Sequence, residues 1–158
     1  MAASRPRYIG PVSMERRRGG YLISTDPGRL DREAIWRFLQ TAYWSPGVQR
    51  EIVERAIDGS QHVFGLYGPG GEQAGFARVV SDRARFAWLA DVFVVEGHRG
   101  QGLGVWLVET VFTHPELADL RIVLATADAH GLYERFGFEP VDAARWLERR
   151  GADPRPPG

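Results

Sequence analysis

Positions 86 to 111 leave this chain few ways to fold. An apolar run, FAWLADVFVV, meets the glycine turn GHRGQGLG, and the chain then resumes with Leu103, Leu107 and Val111 at i, i+4 and i+8. The run is rich in aromatic and β-branched residues and predicts a central strand buried on both faces. The resumed pattern predicts a helix to about Thr113. Strand, tight turn and helix in immediate succession belong to layered α/β architectures. A helix opening from a glycine turn also presents unpaired N–H groups and the positive end of its dipole, which favours an anion such as phosphate.

Strand and helix signals alternate around this unit. Residues 21–24 predict a short strand, closed by Asp26, Pro27 and Gly28. Ile35, Phe38 and Leu39 recur at helical spacing, ending near Tyr43 and Trp44. Ser45 and Pro46 read as the N-cap and first turn of a second helix, with Val48, Ile52 and Ala56 on one face. HVFGLY and AGFARVV around GPGGEQ predict a hairpin, RIVLAT a strand, and AHGLYERF a helix capped by Gly137. In that helix Leu132 and Phe136 share the inward face and Tyr133 points to another side. Phe138 and the 145–147 region offer weak final strands. Residues 1–20, with the triple Arg16, Arg17 and Arg18, read as a flexible solvated extension, 21–150 as a single domain and 151–158 as a flexible tail.

Composition removes whole classes of chemistry. The 158 residues, 44% of them hydrophobic, suffice for one domain with a real core, and 20 basic against 20 acidic side chains give no field that would draw nucleic acid. Cysteine is absent, so disulfides, thiolate metal sites and a cysteine nucleophile are excluded. Lysine and asparagine are absent too, and every basic side chain other than histidine is arginine. That excludes Schiff-base enzymes and the phosphate loop of ATPases and GTPases, G-x-x-x-x-G-K-[ST]. No run approaches the roughly 18 to 20 apolar residues of a membrane span, and no secretory signal core is present. A cytoplasmic protein without membrane contact is expected, and the arginine-, alanine- and glycine-rich usage suits a GC-rich bacterial genome.

The glycine spacing separates the remaining phosphate motifs. The dinucleotide fingerprint G-x-G-x-x-G would need glycine three residues after Gly102, where Val105 stands. What is satisfied is R-x-x-G-x-G, by Arg99, Gly102 and Gly104. By itself such a turn also serves as a tight strand-to-helix connection with no ligand. Following a buried strand, it resembles the acyl-CoA pyrophosphate loop of the GNAT superfamily, the acyl-CoA-dependent N-acyltransferases. Further along, GLYERFGFEP resembles that superfamily's last helix and following strand, and the order of elements matches from about Tyr21 to Pro140. The resemblance implies an α/β fold of α+β type, with a mixed sheet of about six to seven strands and about four helices. It also implies acetyl-CoA as co-substrate with no metal, and direct transfer to a primary amine on a small molecule or peptide. Homodimers are common on this fold.

The same resemblance distributes roles. The backbone of Val92, Phe93 and Val94 would pair with the pantetheine arm and offer an N–H to the thioester oxygen. The main chain of Arg99, Gly100, Gln101, Gly102, Leu103 and Gly104 would hold the pyrophosphate, with the Arg99 side chain adding charge. Tyr133 stands where the family's usual proton donor to the leaving thiolate stands. Asp91, a lone carboxylate in an apolar run, is the candidate base facing the acceptor; the alternative is a carboxylate hydrogen-bonded to a neighbouring strand or loop. Glu96 is a second choice of base, and His98 reads as a surface residue. Tyr43 and Trp44 face the acceptor side in this layout, to stack or cradle a cation, or else pack in the core. Many relatives carry asparagine where Thr126 stands, so the cofactor would meet one hydroxyl in place of an amide's pair of bonds. The glutamate that some members keep on the strand before the last helix is missing from RIVLAT. Two other readings stay open: a non-catalytic acyl-CoA-binding or interaction module on the same fold, and a nucleotide-binding regulatory domain.

Overall fold

The computed structural model describes residues 13–151. In chain order the chain forms β1 (Glu15–Arg18), β2 (Tyr21–Ser24), α1 (Arg32–Leu39), α2 (Arg50–Asp58), β3 (His62–Tyr67), β4 (Gln73–Ser81) and β5 (Phe86–Val94). It continues with α3 (Leu103–Phe112), β6 (Arg121–Val123) and α4 (His130–Glu134). The six strands lie side by side in sequence order. Four antiparallel pairings lead from β1 to β5, and only β5 and β6 run parallel, because α3 carries the chain back between them. No helix among the described residues is long and apolar enough to cross a membrane.

Each face of the sheet carries its own core. On one, Leu103, Leu107 and Val111 of α3 pack with Phe64, Leu66, Val79 and Leu89. On the other, Ile35 and Leu39 of α1 and Val53 and Ile57 of α2 pack on Phe76 and Phe93. Burying such side chains contributes roughly 1.5 to 3 kcal/mol each, which binds the helices to the sheet. Strand β5 changes its register partway. Phe76 pairs with Phe93 but Arg78 pairs with Ala90, so one extra residue on β5 makes a bulge, and Asp91 there has φ 53°. The bulge reverses the alternation: Ala87 and Leu89 belong to the α3 face, whereas Phe93 belongs to the α1–α2 face.

Several elements depart from the expectations above. The segment read as a flexible extension supplies β1, which pairs with β2 along its whole length; the rest of that reading, residues 1–12, lies outside the described residues, as do 152–158 of the tail. Its arginines are recruited by tertiary contacts, Arg16 Nη2 donating to Thr113 Oγ1 at 3.0 Å. Ser45 and Pro46 do not start a helix. The Ser45 hydroxyl donates to the Leu39 carbonyl at 2.7 Å, and the Gly47 N–H, at φ 70°, donates to the Gln40 carbonyl at 2.7 Å. The pair therefore closes α1, and α2 begins at Arg50 with Val53 and Ile57 inward, one residue round from the expected face. β5 is not buried throughout on both sides: Phe86 is exposed and Trp88 half-buried where β6 pairs with them, and Val92 and Val94 are half-buried beyond that pairing. Neither Phe138 nor the 145–147 region forms a strand: Phe138 packs on Phe112 and Tyr133, and Ala143–Arg145 is a single 3-10 turn.

Candidate active site

The glycine turn owes its shape to two left-handed residues, Gly100 at φ 83° and Gly102 at φ 72°, where a Cβ would strain the backbone. Gly102 is also the N-cap of α3 and offers no side chain to the helix, so the first-turn N–H groups stay open. A ligand anion of the right size meets main chain there. From behind, side chains of β1 and β2 brace the turn. Arg18 donates to the Gln101 carbonyl at 3.3 Å and lies 4.8 Å from the Trp106 ring centroid. The Gln101 amide donates to the Tyr21 hydroxyl at 3.2 Å, and Tyr21 in turn meets His98 Nδ1 at 2.9 Å. His98, expected at the surface, is a brace with only 19% of its side chain exposed.

Beside this turn the sheet opens. β6 pairs with β5 only from Phe86 to Trp88, and β5 continues to Val94 without that neighbour. The released edge of Val92, Phe93 and Val94 forms the floor of a cavity of about 800 Å³, walled by Phe38, Tyr43, Trp44, Glu96, Arg99 and Asp128. A smaller hollow between Val94, Arg99, Leu132 and the turn residues Gly100, Gly102, Leu103 and Gly104 adjoins it. Arg99 lines both, and its Nε donates to the Val94 carbonyl at 2.9 Å.

Tyr133 is set deeper than expected from its helix, and together with Thr126 and His130 it lines a separate hollow of about 380 Å³. It is the most buried residue of α4, 7% exposed, with its ring against Phe138, while Leu132 and Phe136 are half-buried. Burial, and then the proximity of Tyr43 and the Asp128 carboxylate, push its phenol up to about 12, so it is a neutral donor at physiological pH. The Tyr43 hydroxyl donates to Asp128 Oδ1 at 3.1 Å and accepts the Ala127 N–H at 3.2 Å, tying the loop after α1 to the loop before α4. Thr126 is engaged locally, its hydroxyl accepting the Ala129 N–H at 3.1 Å at the entry to α4.

Asp91 meets two donors. Oδ2 accepts from Arg78 Nε at 2.6 Å and Oδ1 from Trp44 Nε1 at 3.0 Å, with both partners of the ion pair largely covered. Its positive φ at the bulge turns the carboxylate under Trp44. Tyr43 and Trp44 sit edge to face, 55% and 42% exposed, and Phe38 stacks on Phe93 with centroids 3.8 Å apart. The cleft thus gathers Val92, Phe93, Val94, Arg99, Tyr43 and Trp44, with Asp91 held at its rim by Trp44. Arg18, Tyr21, Arg78 and Asp128 escape a reading of the sequence, because their partners lie 83, 77, 13 and 85 residues away. Metal-ligating side chains also meet once among the described residues, at a place that none of the cleft-lining residues shares. His62, His114 and Glu116 have ligand atoms within 4.8 Å, at the C-terminal end of α3, with His62 Nε2 2.7 Å from Glu116 Oε2.

Three comparisons bear on this geometry. Residues 59–140 match the family model described as an acetyltransferase (GNAT) domain. A protein of Gibberella zeae, provisionally named an acetyltransferase, is 31% identical over 139 residues, 73% of this chain and 77% of its own. A crystal structure from Xanthomonas campestris, provisionally assigned as an acetyltransferase of the GNAT family, is 44% identical with a TM-score of 0.77 over 84% of this chain and 93% of its own. A third, from Deinococcus radiodurans, is provisionally assigned as an acetyltransferase; it is 27% identical, with a TM-score of 0.67 over 86% and 94%.

Proposed function

This chain belongs to the GNAT acetyltransferase family, and from that premise we propose that it transfers the acetyl group of acetyl-CoA directly to a primary amine. The observation that carries the reading is the released edge of β5 running straight into the glycine turn. A long cofactor with an extended arm and a pyrophosphate fits that pairing: main-chain groups for the arm, and open N–H groups of α3 for the charge. The room exists because Gly100 would meet nothing with an added Cβ and is left-handed, as is Gly102.

When bound, acetyl-CoA supplies the thioester whose carbonyl the amine attacks. Val92, Phe93 and Val94 hold the arm, and a backbone N–H of that edge takes the negative charge developing on the carbonyl oxygen. The turn from Arg99 to Gly104 holds the pyrophosphate, with Thr126 contributing at most one hydroxyl from the α4 side. Tyr133 delivers its phenolic proton to the departing thiolate. A phenol pushed up to about 12 keeps that proton until the thiolate is there to take it.

The amine itself arrives as a cation: at a pKa near ~10.4 only about a thousandth is neutral at pH 7. The aromatic pair Tyr43 and Trp44 suits a cationic acceptor. The test is thiol release from acetyl-CoA across a panel of a polyamine, an aminoglycoside, a peptide amino terminus and small amines. Release that depends on one of these amines supports the reading. A chain that binds acetyl-CoA and releases no thiol with any of them sinks it.

A further inference from the structure

Two aspartates lie at the cleft, Asp128 lining it and Asp91 bonded to the lining residue Trp44, and they are not equivalent. Asp91 is neutralised by the Arg78 guanidinium, and each of its oxygens already accepts a bond. Such a group has little left to offer an incoming cation. Asp128, on the wall formed by the β6–α4 connection, meets hydroxyls instead, Tyr43 at 3.1 Å and Thr126 at 3.5 Å, both on Oδ1. No ion pair among the described residues engages it, and its residue is exposed to solvent. It lines the same cavity as Val92, Phe93 and Val94. Glu96 also lines the cavity, but it belongs to the 3-10 turn on the pyrophosphate side, where its carbonyl accepts the Arg99 N–H.

Resting on the acetyl-transfer reading, we infer that Asp128, and not Asp91, receives the acceptor: its carboxylate binds the incoming primary ammonium beside Tyr43 and takes its first proton. Asp128 also lies near enough to Tyr133 to help raise its phenol, after burial and Tyr43. In this reading base and acid reach one reacting centre from two sides, Asp128 from the main cavity and Tyr133 from the hollow it lines with Thr126. The ammonium gives one proton to Asp128, and the neutral nitrogen forms the C–N bond to the carbonyl carbon. As the C–S bond breaks, its electron pair stays on sulfur, which takes the Tyr133 proton. The second nitrogen proton then restores the Tyr133 phenol, and Asp128 passes its proton to water. The products are an amide, the free thiol and one proton. The site selects a basic alkyl amine over a weakly basic one by charge, since only the former arrives as the cation Asp128 attracts.

Two small probe amines separate proton removal from mere support of the cleft. Methylamine is almost wholly protonated at neutral pH and needs a base; hydroxylamine is mostly neutral and does not. With full-length protein and saturating acetyl-CoA, Asp128→Asn is expected to lower kcat/KM for methylamine by about 100-fold or more, within the usual range of general base catalysis. The hydroxylamine reaction, the acetyl-CoA affinity and Tm should stay close to wild type, because asparagine still accepts from Tyr43. Asp91→Asn should show the reverse pattern, with Tm lowered and no preference between the amines. An equal loss with both amines makes Asp128 a support of the loop, and no loss with methylamine removes it from the reaction; either result overturns the inference. If the wild-type chain binds acetyl-CoA yet adds nothing to the enzyme-free rate of thiol release with either amine, acetyl transfer itself is refuted and this inference with it. The failures are told apart because one is read on wild type and the other only on the variants.

Discussion

Around the glycine turn, the groups facing the cleft are main-chain atoms of consecutive residues, Arg99 to Gly104, followed by the open end of α3. On the facing wall, Tyr43, Trp44, Arg78, Asp91 and Asp128 come from the loop after α1, from β4, from β5 and from the loop before α4, and they meet through side chains. The first region is a conformation, fixed by which residues tolerate positive φ. The second is a set of contacts, fixed only when distant elements pack. The proposed donor suits the first construction, and the proposed acceptor the second, whose side chains can change without disturbing the backbone.

Substitutions can break that division, the strongest first. Tyr133→Phe should reduce turnover by about 100- to 10,000-fold while the affinity for acetyl-CoA is nearly unchanged, measured by thiol release and calorimetric titration. Unchanged turnover would place the phenol in the core and outside the reaction. Gly102→Val forces a β-branched residue to φ 72° and should cost about 1 to 3 kcal/mol in urea unfolding. CoA affinity should fall with it; if affinity survives, the donor site is not the backbone conformation argued above. Asp91→Asn breaks the pair with Arg78, and a stability loss of about 1 to 3 kcal/mol is expected from a charge-assisted bond. Chemical denaturation checks this, and a loss of rate without one would restore Asp91 as the base.

Alkaline pH gives a smaller effect. The phenols of Tyr67 and Tyr133 are both pushed up to about 12 by burial. Unfolded, each loses its proton near ~10, so between these values the native state binds more protons and stability falls as pH rises. Below that window the preference is fully present. Tyr67→Phe and Tyr133→Phe should each flatten the decline in urea midpoint above about pH 10, and only the latter should touch turnover. Smallest is Arg18→Ala, which removes a bond to Gln101 and a contact of about 0.5 to 1 kcal/mol with Trp106, and should weaken CoA binding about two- to fivefold. No change would mean that the turn holds its shape without β1.

Most of the fold was legible because its signals are short-range. The β3–β4 hairpin, the α3 helix and the Gly137 cap follow from turn chemistry and periodicity over a few residues, and they stand where expected. β1 was not legible. ERRR has no apolar alternation of its own and becomes a strand because β2 offers an edge and Thr113 and Gln101 accept its arginines. Ser45 was misread because a hydroxyl before proline caps a following helix or closes a preceding one, and only the approach of the Leu39 carbonyl decides which. Tyr133 shows the same limit: a helix of 5 residues has too little periodicity to tell how deeply a residue on it is set.

Sequence alone determined the glycine turn to which we assign the acyl donor. Glycine spacing dictates backbone torsions, and torsions suffice to present N–H groups to a pyrophosphate. Tertiary structure decided the wall to which we assign the acceptor. Whether a carboxylate in the cleft is neutralised, like Asp91 by Arg78, or left to meet a cation, like Asp128 beside Tyr43, depends on partners that only packing brings within about 3 Å.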